Sequence, residues 1–136
     1  MRLVLDSSVA VKWVVPEDLS DRATLLRDDF RNSVHELIAP DCWPTEVAHA
    51  LTKAERQARL VDAEGLWLEV MSTAPQFFPS LPLMPRALRI AKQARIGVYD
   101  CLYVALAERE GCALVTSDQR LINGLKLPFI RDSATL

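Results

Sequence analysis

The chain has 136 residues, half of them hydrophobic and a quarter charged, which fits one packed soluble domain over residues 1–136 and leaves little room for a second. Four glycines and eight prolines are too few for a low-complexity or collagen-like chain, and the glycines stand too far apart to build a G-x-G-x-x-G turn or a P-loop. Sixteen basic residues against eighteen acidic ones give a net charge of −2, which excludes a polycation that holds nucleic acid by bulk charge, although twelve of the bases are Arg, the planar donor suited to phosphate.

Arg2 to Leu5 is a short apolar run ending at Asp6 and predicts the first strand. A short helix is expected from Ser7 or Ser8 to just before Pro16. Leu19, Ala23, Leu26 and Phe30 then recur at helical spacing, with Arg22, Arg27, Asp28 and Arg31 expected on the polar face. Glu36 to Ala39 predicts a second strand, followed by a helix from about Pro44 whose apolar stripe is Trp43, Val47, Leu51 and Ala54. Asp62 is placed to cap a helix carrying Leu66, Val70 and Ala74, and Phe77–Phe78 fit an edge strand in a proline-rich region. A helix from about Leu83 to Arg95 comes next. The segment from Gly97 to Ala107 is apolar nearly all round, so the helix over Tyr99 to Glu110, ended by Gly111, should be central and buried. Ala113 to Thr116 predicts a strand, Gln119 to Leu125 a short helix, and Phe129–Ile130 a last strand. Strands that alternate with helices imply an α/β chain with a mostly parallel sheet covered on both faces.

The apolar N-terminus, Met1 to Val15, is broken by Asp6 and Lys12 and makes a poor signal peptide. The longest uncharged stretch, Val70 to Pro85, holds four prolines and cannot be a bilayer-spanning helix. The three cysteines, Cys42, Cys101 and Cys112, form no C-x-x-C pair and read as reduced thiols of a cytoplasmic protein.

Four carboxylates break the apolar pattern. Asp6 is the only charge between Leu3 and Val11, at the carboxyl end of the first strand; Glu46 is the only one between Asp41 and Lys53; Asp100 stands alone at the start of the buried helix; and Asp118 lies two residues past the apolar strand ending at Thr116. Each has an ordinary explanation: a cap, a helix-dipole charge or a solvated helix face. Strand ends and helix starts nevertheless meet at one rim of a parallel sheet, where such folds bind ligands. Two carboxylates about 6 Å apart repel by about 3 kcal/mol at an effective dielectric near 20. Six such pairs would cost on the order of 15 kcal/mol, comparable to the stability of a whole domain. A convergent quartet must therefore protonate or hold a cation. All-oxygen donors favour Mg²⁺ or Mn²⁺, whereas His35 and His49, without a Cys pair, do not make a zinc site. An acidic pocket with such an ion suits phosphodiester hydrolysis, because the ion neutralises phosphate charge and activates water.

The blocks L-V-L-D-S-S at 3–8, P-T-E-V-A-H-A-L at 44–51, Y-D-C-L-Y-V-A-L-A at 99–107 and L-V-T-S-D-Q-R-L at 114–121 each carry one of these acids. In that order the chain resembles a PIN-domain endoribonuclease, most closely the small VapC-type toxins of prokaryotic toxin–antitoxin pairs. The resemblance implies a three-layer α/β/α sandwich with about five mostly parallel strands. It implies that Asp6, Glu46, Asp100 and Asp118 form the acidic Mg²⁺ (or Mn²⁺) site, with Ser8 and Thr116 as supporting hydroxyls. It also implies cleavage of single-stranded RNA, often within tRNA or rRNA, a homodimer, and inhibition by a cognate antitoxin that inserts a segment into the pocket. In one departure, His49 stands where the family usually has Asn.

RNA must approach a negative pocket, so bases are expected along its margin. Arg86, Arg89, Lys92 and Arg95 recur on one helix, with Arg56, Arg59 and Arg120 as further candidates. Two other readings fit parts of the pattern. A haloacid-dehalogenase-like phosphomonoesterase also places an Asp after its first strand, but usually has a second Asp where this chain has Ser8, and its Lys precedes a late acidic pair that Lys126 here follows. A non-catalytic scaffold would bind partners through Leu66, Trp67, Val70 and Met71, at the expense of keeping four unused acids.

Overall fold

Five short strands pair in parallel in the computed structural model, which describes residues 1–15 and 21–135. They are β1 (Arg2–Leu5), β2 (Glu36–Pro40), β3 (Gln76–Phe78), β4 (Ala113–Thr116) and β5 (Ile130–Asp132), in the order β3-β2-β1-β4-β5. In the central register Val4 lies between Ile38 and Leu114, all three fully buried. Both faces of these strands are covered, which is why their sequences are apolar without alternation.

Helices α1 (Ser7–Val11), α2 (Asp21–Arg31), α3 (Trp43–Arg56) and α4 (Ala63–Met71) fill the connections that run outward from β1 to β3. Helices α5 (Met84–Ala94) and α6 (Val98–Glu110) fill the return to β4, and α7 (Gln119–Leu125) joins β4 to β5. Right-handed crossovers that reverse direction at β3 place the two groups on opposite faces, giving a three-layer α/β/α sandwich. Helix α3 packs on α1 and α4, α5 packs on α6, and α6 lies across β1, β2 and β4. Every residue from Cys101 to Ala107 is buried, as expected for a helix apolar on all sides. Gly111 ends it at φ +63°, where a side chain would be strained.

Several expectations need adjustment. The helix expected to reach Pro16 stops at Val11, ahead of the β-branched Val14 and Val15. Leu19 of the next stripe lies outside the described residues. Arg27 is buried rather than solvated: it donates to Thr73 Oγ1 (2.7 Å) and to the carbonyl of Glu69 (2.9 Å), and its guanidinium lies 4.8 Å from the centre of the Trp13 ring. Ala74 falls beyond the end of α4. The apolar residues considered as a scaffold surface pack inward: Val70 is buried, and Leu66, Trp67 and Met71 lie against the core. Among the described residues no helix is long and apolar enough to cross a membrane, and the three cysteines are free.

The chain leaves β1 toward β2 on one side, while β4 and β5 lie on the other. The carboxyl ends of β1 and β4 therefore flank the point where strand order reverses, and a crevice opens there.

Candidate active site

Asp6 is the first residue beyond β1 and is only 3% exposed. It occupies the N-cap position of α1 yet makes no side-chain cap bond. Its Oδ2 instead accepts hydrogen bonds from Thr116 Oγ1 (2.6 Å) and Ser8 Oγ (2.8 Å). Those hydroxyls are themselves oriented. The backbone N–H of Asp118 donates to Thr116 Oγ1 (3.0 Å), and that of Ser117 donates to Ser8 Oγ (3.0 Å). Each hydroxyl accepts from the β4–α7 turn and spends its own hydrogen on Asp6. The network joins the ends of β1 and β4 across the crevice and fixes the carboxylate plane.

The other three acids reach the same cavity from different elements. Asp6, Glu46, Asp100 and Asp118 all line one pocket of about 520 Å³, with Ser8 and His49 also on its wall. Glu46 stands in the first turn of α3 and Asp100 in the first turn of α6. Asp118 caps α7 through a bond from the Arg120 N–H to its Oδ1 (2.9 Å). For Asp118 the ordinary capping explanation therefore holds alongside its place in the pocket. Glu46 is not a solvated helix residue, because its Oε1 accepts from the Tyr103 hydroxyl (2.6 Å) and from the Cys42 thiol (3.6 Å).

Electrostatics bear the marks of the crowding. Burial raises the Asp6 carboxyl above its ordinary range; the two hydroxyls oppose the shift and the charge of Asp118 adds to it. Burial pushes Glu46 from 4.5 up to about 7, opposed by the Tyr103 hydroxyl and reinforced by Asp6 and Asp100. Asp100 rises to about 6, again chiefly through burial, with Asp6 and Asp118 adding and Arg120 opposing. Among the described residues no three Asp, Glu, His or Cys side chains stand close enough to enclose an ion by themselves. The arrangement is an open acidic pocket rather than a closed cage.

The PIN domain family matches residues 3–124. The chain belongs to that family. It is 32% identical over 127 residues to Ribonuclease VapC3 of Pyrobaculum aerophilum, across 89% of this chain and 92% of the relative. It is also 32% identical to VapC ribonuclease Mb0985 of Mycobacterium bovis, across 88% and 87%. In fold it matches the crystal structure of PAE2754 from Pyrobaculum aerophilum at a TM-score of 0.74 and 22% identity, over 99% of this chain and 85% of the other. The chain is thus a VapC-type member of the PIN family. PIN-domain ribonucleases are generally metal-dependent, and carboxylate and hydroxyl oxygens are donors of the kind hard cations take.

Within this PIN domain, the arginines expected at the margin divide. Arg86 forms a two-pronged pair with Glu108 (2.7 and 3.1 Å), in a cavity separate from the acidic pocket. A phosphate there would have to displace Glu108. Arg89 is exposed. Arg120 lies beside the pocket, with its Nε 3.6 Å from Asp118 Oδ1. Sequence reading missed Tyr103 and Cys42. Tyr103 lies three residues after Asp100, but its bond is to Glu46 on another helix, which spacing along one helix does not reveal. The Cys42 thiol, pushed up to about 12 by burial and by Glu46, is held protonated and donates rather than attacks.

Changing Tyr103 to Phe tests the bond to Glu46. The hydroxyl favours the ionised form, so its removal should raise the Glu46 carboxyl further, by about one pH unit. Carbon-detected NMR titration of the metal-free protein reads this directly. A Glu46 midpoint that stays in place or falls would show that the bond does not act on the carboxylate.

Proposed function

We propose that the chain is a metal-dependent endoribonuclease acting as the toxin of a toxin–antitoxin pair, with Asp6, Glu46, Asp100 and Asp118 as its active site. The observation that carries this reading is Asp6: a buried carboxylate at the strand-order switch, held by two oriented hydroxyls instead of capping the helix it precedes. Four acids on one pocket at neutral pH call for a cation. Mg²⁺ or Mn²⁺ fits the donor set, because Mg²⁺ keeps several waters and needs only one or two carboxylates beside substrate phosphate oxygens. Asp6, Asp100 and Asp118 would hold it in part through its waters, since they do not close on an ion by themselves, with Glu46 completing the site directly or through water. Bound there, the ion would offset phosphate charge and lower the pKa of the attacking water.

The chain's own groups position the reaction. Ser8 and Thr116 fix the Asp6 carboxylate, and Tyr103 and Cys42 fix that of Glu46. Arg120 offers a cation at the rim for the RNA backbone, and the exposed Arg89 a more distant one. Attack of water on phosphorus with departure of the 3′ oxygen leaves 5′-phosphate and 3′-hydroxyl ends. We take the substrate to be single-stranded RNA, often within tRNA or rRNA, and the compartment to be the cytoplasm. A homodimer and an antitoxin have exposed apolar side chains to use, among them Val61, Leu68, Leu81 and Leu88. One chain of the crystal structure of VapBC2 from Rickettsia felis, bound to a DNA fragment from their promoter, has the same fold at a TM-score of 0.66 and 14% identity, over 97% of this chain and 98% of that one.

The test uses the purified chain on single-stranded RNA with Mg²⁺, with Mn²⁺ and with EDTA. Cleavage is expected with either ion, with 5′-phosphate ends, and none in EDTA. Undiminished cleavage in EDTA would overturn the metal site. Hydrolysis of small phosphomonoesters without cutting of RNA would favour the phosphatase reading instead.

A further inference from the structure

The acidic pocket is larger than an ion needs. At about 30 Å³ per water, an octahedrally hydrated cation fills on the order of 200 Å³. The cavity measures about 520 Å³. The remaining wall is not acidic: Val11, Thr45, His49, Ala50 and Tyr99 line it. Tyr99 is 59% exposed, although it sits in the first turn of the most buried helix of the molecule and immediately precedes Asp100.

We propose that Tyr99 is the stacking platform of a nucleobase subsite, which holds one unpaired RNA base beside the phosphate to be cut. This rests on the ribonuclease reading and extends it to a specificity-determining residue. A contact that does not depend on charge suits this pocket. A pocket lined by four acids, in a chain of net charge −2, offers phosphates little attraction before a cation is in place. Stacking on an aromatic face is independent of charge and accepts any base. A base inside a duplex has both faces covered by its neighbours, so this ring can engage only an unstacked nucleotide. His49, one helical turn beyond Glu46, lines the same wall.

The experiment compares Tyr99, Tyr99→Phe and Tyr99→Ala. Binding of a labelled single-stranded RNA is measured in Mg²⁺ on an Asp6→Asn background, so that the probe stays intact, and kinetics are measured on the wild-type background. The Ala variant should weaken binding and raise KM by about 10- to 100-fold with kcat little changed, whereas Phe retains the wild-type values. The loss should be the same at low and high salt, because stacking releases no counterions. An RNA carrying an abasic nucleotide next to the cleavage point should lose the same factor with Tyr99 present and lose nothing more with Ala at 99. Unchanged RNA affinity in Tyr99→Ala overturns the subsite, even if that variant binds the antitoxin poorly. So does a Phe variant as weak as Ala, or fully additive losses with the abasic RNA. Failure of the wild type to cut RNA with either metal ion would remove the ribonuclease reading itself. Cleavage with unaltered Tyr99→Ala kinetics removes only the subsite.

Discussion

Asp6→Asn should lower RNA cleavage by on the order of 1000-fold while leaving the fold at least as stable as the wild type. The loss follows from removing the carboxylate that anchors the cation site: several kcal/mol of charge stabilisation at the reacting phosphate is about three decades in rate. Retention of the fold follows from the local bonds. Thr116 and Ser8 both donate to one oxygen of Asp6, and an amide carbonyl can accept both. The substitution also removes a buried charge whose carboxyl burial already holds above its ordinary range. Rate and melting temperature are therefore expected to move independently, with cleavage lost and Tm level or higher. An Asn variant that still cuts RNA after contaminating nucleases are excluded would sink the assignment of Asp6. A variant that merely unfolds would show that Asp6 is structural, tying β1 to β4 through the hydroxyl network.

The legibility of this site in the sequence was uneven, and the unevenness has physical causes. Asp6 and Asp100 stood out because a lone charge in an apolar run is costly unless it is used. Alternating strands and helices imply a mostly parallel sheet with Asp6 and Asp118 on one rim, and the family resemblance about five strands; the strand order that sets the crevice between β1 and β4 comes only from the fold. Tyr103 was hidden because an aromatic in a buried helix reads as core. Its hydroxyl finds Glu46 only through tertiary packing, 57 residues away. Arg27 was misplaced for the converse reason. Helical periodicity puts an Arg on the wet face, and only the approach of Thr73, Glu69 and Trp13 supplies enough acceptor and ring contacts to bury it. Arg86 illustrates a third limit. Its place on α5 was legible, but its partner Glu108 is on the neighbouring helix, so the spacing of bases along one helix did not show which of them was already engaged.

In the absence of divalent ions the protein should become less stable as pH rises from about 4.5 to about 7.5, the reverse of the usual gain for a protein with salt-bridged carboxylates. Asp6, Glu46 and Asp100 all have their carboxyl pKa raised in the folded state. A raised carboxyl means that the folded chain holds its proton more tightly than the unfolded chain does. In the window between the two values the folded state binds more protons, so stability falls with increasing pH. The decline begins near the unfolded values of 3.8 and 4.5 and ends above about 6 for Asp100 and about 7 for Glu46. Moving Glu46 from 4.5 to about 7 corresponds to about 3 kcal/mol, which screening at its half-buried position reduces to about 2 kcal/mol. In a domain of this size that is a drop of about 5–10 °C in Tm. Melting curves in EDTA across this pH range read the effect, and Glu46→Gln should flatten the slope. Added Mg²⁺ or Mn²⁺ at the alkaline end should restore the lost stability, because an ion that binds only the folded pocket stabilises it by mass action. A Tm that rises with pH in EDTA, or that ignores both ions at pH 8, would mean that the four acids do not share one field, and the cation site would have no basis.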